Sequence, residues 1–77
     1  MKSINHLYIQ LHTAKEKKLI RGFEQIQNRD VILVQLKDGT PDDVCQKLKE
    51  YIRATYKEVI YVTVTPYDKA LYIRYVT

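Results

Sequence analysis

Between Thr40 and Val64 the hydrophobic period of the chain changes from about 3.6 residues to 2, and this switch restricts the fold more than any other feature. Threonine can cap a helix, and proline suits the first helical position because its missing N–H would go unpaired there. Asp42 and Asp43 then place negative charge at the positive end of the helix dipole. Val44, Leu48, Ile52 and Thr55 follow at helical spacing with Cys45 and Tyr51 beside them, while Gln46, Lys47, Lys49, Glu50 and Arg53 fall on the other side. After Lys57, Ile60, Val62 and Val64 point one way and Tyr61, Thr63 and Thr65 the other. A one-sided helix feeding a β-branched strand predicts a sheet covered by helices.

Leu7, Ile9 and Leu11 alternate with His6, Tyr8, Gln10 and His12, which predicts a half-buried strand from Ile4 to His12. Thr13, Ala14, Lys15 and Glu16 match a capping box, and Leu19, Ile20, Phe23 and Ile26 follow at helical offsets, so a helix is expected over residues 14–27. Gly22 in its interior opposes this, as do Lys15, Lys17 and Lys18 at the wrong end for the dipole. The competing reading makes residues 14–18 a loop and Leu19–Ile26 a strand. Asn28, Arg29 and Asp30 form a break. Val31–Lys37 is apolar on both faces, which suits a central strand. Asp38 and Gly39 turn the chain into the helix already described. Pro66, Tyr67, Asp68 and Lys69 join Val59–Thr65 to a last strand, Ala70–Val76, as a hairpin.

The expected order is β-α-β-α-β-β. It implies an α+β two-layer sandwich in one domain spanning residues 1–77, with both helices on one face of a mixed four-stranded sheet, the first three strands parallel and the fourth antiparallel. This order of elements is similar to that of the C-terminal domain of translation initiation factor 3, of the Alba chromatin proteins and of the small sulfur carriers of the TusA family. The similarity is one of architecture and carries no function by itself. The sulfur carriers place a Cys-Pro motif at the start of their first helix, where this chain has Thr13, Ala14, Lys15 and Glu16, so their chemistry does not transfer.

A chain of 77 residues buries only ~60–65% of its unfolded surface. The lone Cys45 excludes an internal disulfide, and with no metal-ligand cluster in the sequence, support from oligomerisation is expected. Thirteen Lys and Arg against nine Asp and Glu give a net charge of +4, which fits an RNA, DNA or acidic protein partner but is short of a polybasic tail. No apolar run approaches the ~18 to 20 residues of a membrane span, and the N-terminus lacks a signal-peptide core. An intracellular, cytoplasmic protein without a membrane partner is therefore expected.

Alternation leaves one sheet face without a helical layer. On it the sequence places Tyr8, Tyr61 and Tyr72 with Lys37 and Arg74: flat rings that can stack on bases and cations that can follow phosphates. The same face, with Val31, Leu33, Val59 and Val76, equally suits the apolar centre of a homodimer or other protein interface. Lys15, Lys17, Lys18 and Arg21, at an expected helix start, form a second candidate for phosphate contact, alongside the plainer reading of a solvated basic face. His6 and His12 lie too far apart on one strand to hold a metal. Cys45, next to Val44 and Leu48, reads as a buried small hydrophobe more readily than as a reactive thiol. No catalytic constellation and no cofactor motif is present. The expected function is a non-enzymatic binding module, for nucleic acid or alternatively for a protein or a second copy of itself, as in an accessory or mobile-element protein that modulates a host complex.

Overall fold

In the computed structural model, which describes every residue except Met1, Gln27, Arg29 and Thr77, the N-terminal segment Ile4–Glu16 is a helix, α1, and not a strand. Leu7 and Leu11, one helical turn apart, are buried with Ile4 and Tyr8 packed alongside, whereas Ile9 is 61% exposed. Ile9 is what makes the segment look alternating. Removing it leaves a stripe at offsets of three and four, the signature of a one-sided helix.

The ends of α1 explain why its boundaries are hard to read. Ser3 stands at the N-cap without capping: its Oγ lies 3.1 Å from Nδ1 of His6, and the Ile4 N–H donates instead to the Glu58 carboxylate. At the other end the Leu19 N–H donates to the Ala14 carbonyl at 2.8 Å and the Lys18 N–H to the Lys15 carbonyl at 3.0 Å, with Lys18 in the left-handed region at φ 60°. This is the Schellman arrangement, with lysine where glycine is usual. Thr13 and Glu16 therefore belong to a helix end and form no capping box.

Ile20–Ile26 is a strand, β1, so the helix expected over 14–27 gives way to the competing reading; Gln27 lies outside the described residues. The glycine that argued against a helix sits where the β1 register shifts, between Ile20 and Gly22. Then come β2 (Val31–Leu36), α2 (Asp42–Thr55), β3 (Val59–Thr65) and β4 (Ala70–Tyr75). Pro41, not Thr40, occupies the N-cap of α2, and no side chain caps it.

The order is thus α-β-β-α-β-β, and the expected β-α-β-α-β-β is corrected in its first half. The sheet runs β1-β2-β4-β3 with every neighbouring pair antiparallel, so it is not mixed. β2 and β3 both oppose β4 and so point the same way. The β2-α2-β3 crossover survives, with β4 inserted between its strands. The α+β class stands as the period switch predicts, but the similarity of element order to the three families lapses once the chain opens with a helix.

Ile32, Val34 and Leu36 of β2 and Leu71 and Ile73 of β4 share one face and cluster with Leu7 and Leu11 of α1 and Cys45 and Ile52 of α2. Each fully buried aliphatic of this set contributes roughly 1.5–3 kcal/mol relative to exposure. α1 lies over β1 and α2 over β3, which among the described residues leaves the other face of the sheet without helices.

Candidate functional site: the helix-free sheet face

Strand register lays this face out in three cross-strand rows. Ile26, Val31, Arg74 and Tyr61 make the first, Glu24, Leu33, Tyr72 and Thr63 the second, and Gly22, Gln35, Ala70 and Thr65 the third. Two shallow depressions interrupt the grid. One, of about 200 Å³, is lined by Val31, Tyr61, Thr63, Tyr72 and Arg74; the other, of about 230 Å³, by Arg21, Leu33, Gln35, Asp68, Ala70 and Tyr72. Tyr72 is common to both.

The cations on the face are already engaged. Nη2 of Arg74 donates to Oδ2 of Asp30 at 3.0 Å, a bond that holds its guanidinium above the usual arginine range, with Tyr61 adding to the effect. Nε of Arg21 donates to the Leu36 carbonyl at 2.5 Å and its Nη2 to the Asp68 carbonyl at 2.9 Å, while Nη1 lies 3.7 Å from the Asp38 carboxylate. Arg21 thus ties the edge strand β1 to the end of β2 and to the β3–β4 turn.

Of the residues singled out from sequence, Tyr61, Tyr72 and Arg74 meet on this face as alternation predicts. Tyr8 does not join them. It is on α1, against the covered side of the sheet, with its hydroxyl 3.1 Å from that of Tyr75. Lys37 lies exposed just past the end of β2. Lys15, Lys17 and Lys18 stand at the C-terminal end of α1 and not at a helix start, so they complement the negative end of the dipole and have no free N–H groups beside them. Arg21 leaves that cluster and joins the face. His12 packs edge-on against Phe23, with ring centroids 4.9 Å apart. Cys45 is fully buried.

Asp30 and Asp68, which fix the two arginines, escaped the sequence reading. Val31 is paired with Arg74, so Asp30 is brought to the guanidinium by register alone, a long-range quantity that no local pattern encodes.

Among the described residues no group of three or more histidine, cysteine, aspartate or glutamate side chains is placed to hold a metal ion, and no helix is long and apolar enough to cross a membrane. The fold defines a two-layer α+β protein with two helices on one face of a four-stranded antiparallel sheet. Compared with family models, curated proteins and solved structures, the chain gives no significant match.

Proposed function

We propose that the chain is a small non-enzymatic binding module that works by protein contact, its partner being a second copy of itself. The carrying observation is that Arg21 and Arg74 are each held by partners within the molecule, so that the face offers the exposed Tyr61 and the half-buried Leu33 and Tyr72 with arginine beside them. Apolar residues, tyrosine and arginine are the make-up of protein interfaces, whereas phosphate contact needs cations free to leave their partners. Ile60 and Val76, 54% and 59% exposed, extend the apolar area at the rim. A fully buried Cys45 favours binding over thiol chemistry and suits a reducing, cytoplasmic setting. Sedimentation at high micromolar concentration should give twice the 9.2 kDa chain mass. A mass that stays monomeric there overturns this reading.

A second reading, single-stranded nucleic acid, rests on a separate observation. The Ile20–Leu36 pairing brings Lys18 and Lys37 to the same end of the sheet, with Lys15 and Lys17 close by on α1, and none of the four has an ion-pair partner among the described residues. Labelled single-stranded RNA should then bind at low salt and dissociate steeply as salt rises, with loss of binding on Lys18→Glu plus Lys37→Glu. Absence of binding at ~50 mM salt removes this reading.

A further inference from the structure

We infer that the second copy seats on the outer edge of β3, the two strands pairing antiparallel about a two-fold axis at Thr63 to make one eight-stranded sheet. This rests on the self-association reading and moves the seat of the second copy from the helix-free face to the edge beside it.

The two edges of the sheet are built differently. β1 carries Arg21 and Glu24 and a register shift at Gly22, devices that discourage pairing. β3 has β4 on one side and, among the described residues, no strand on the other, and from Val59 to Tyr67 there is no charged residue. A second copy of the same strand therefore meets it without like-charge repulsion.

The register follows from what bounds the regular part. The shift between Val59 and Tyr61 interrupts one end and Pro66 the other, which leaves Tyr61–Thr65 as an unbroken run of five with Thr63 at its centre. Antiparallel self-pairing about that centre sets Thr63 opposite its own copy, Val62 opposite Val64, and Tyr61 opposite Thr65. Continued outward, it sets Ile60 opposite Pro66 and brings the Tyr67 ring of one copy to the Ile60 and Val76 side chains of the other. These are among the most exposed large apolar groups of the molecule, with Tyr67 at 95%. Each copy supplies what the other leaves bare, and this self-complementarity selects a second copy over an unrelated extended peptide.

Because a two-fold axis perpendicular to the sheet keeps both helix-free faces on one side, Tyr61 and Thr63 of the two copies adjoin across the seam. The depression they line then continues from one copy into the other. In this seat the helix-free faces of the two copies lie side by side and stay open.

Thr63 is an exposed position, so Thr63→Lys and Thr63→Glu leave the fold in place, which far-ultraviolet circular dichroism checks. Each variant alone sets like charges across the axis and should sediment as a monomer under conditions in which the wild type is a dimer. An equimolar mixture should recover the dimer, because lysine then faces glutamate. A wild-type dimer that either variant leaves intact, or a mixture that stays monomeric, overturns the β3 seat while self-association stands. A wild type that is monomeric throughout overturns both.

Discussion

The hydroxyls of Tyr8 and Tyr75 lie 3.1 Å apart, joining the N-terminal helix to the last strand, and Nε2 of Gln25 donates to the same Tyr75 oxygen at 2.6 Å. Tyr75 is 5% exposed and sits at the hub of this small network. Tyr75→Phe removes the hub and takes one partner from the half-buried Tyr8 hydroxyl and one from the exposed Gln25 amide, which should cost about 1 kcal/mol in urea unfolding. Tyr8→Phe removes one spoke and should cost less.

The same contact gives a signed pH dependence. Burial pushes the Tyr8 hydroxyl well above the ordinary tyrosine range, and its bond to Tyr75 pushes in the same direction; burial also raises Tyr56, with Tyr51 adding to it. A group whose pKa is raised on folding stabilises the native state fully below its unfolded value of ~10, and that contribution is lost as the pH climbs through the raised one. The urea midpoint of the wild type should therefore fall above pH ~10, and that of Tyr8→Phe should fall less steeply. Parallel decline in the two proteins would show that Tyr8 is not the group responsible.

Lys18 ends α1 at φ 60°, a conformation that costs a residue with a side chain about 1–2 kcal/mol and glycine almost nothing. Lys18→Gly should raise stability by about 1 kcal/mol. Lys69, at φ 52°, is the contrasting case: its Nζ donates to Oδ1 of Asp42 at 2.8 Å, so glycine there loses a tether while relieving the backbone. Urea midpoints should therefore rise for Lys18→Gly and move little for Lys69→Gly.

What the sequence concealed has the same physical root as these cases. From Val31 onward each element is bounded by local chemistry and was legible: the β2 alternation, the aspartates of α2, the proline turn of the last hairpin. The first thirty residues lack such signals. The N-terminus of α1 is satisfied by Glu58, far along the chain, and its C-terminus by a lysine in a glycine's conformation, so neither end declares itself. Ile9, exposed on the helix, completes a false alternation. The face carrying Tyr61, Tyr72 and Arg74 follows from period two alone, but the partners of its arginines follow from register, which depends on the whole sheet.

Cys45 is fully buried in the shared core. A thiol reagent should label it slowly in the native protein and quickly in urea, and Cys45→Ser, which buries a hydroxyl in an apolar site, should cost about 1–3 kcal/mol. Rapid native labelling would restore the thiol chemistry set aside above.

Arg21 separates a structural role from a binding one. If it holds β1 to the sheet through the Leu36 and Asp68 carbonyls, Arg21→Ala should destabilise by about 1–2 kcal/mol, and Arg21→Lys should recover little of this, because an ammonium cannot present two N–H groups in the guanidinium's fixed fork. If Arg21 serves a nucleic acid as a general positive charge, lysine substitutes well for binding and alanine leaves stability unchanged. The Arg21–Asp38 pair does not blur the comparison: at 3.7 Å and with the aspartate side chain 90% exposed, it is an ion pair that solvent screens, and Asp38→Asn should leave the melting temperature where it was.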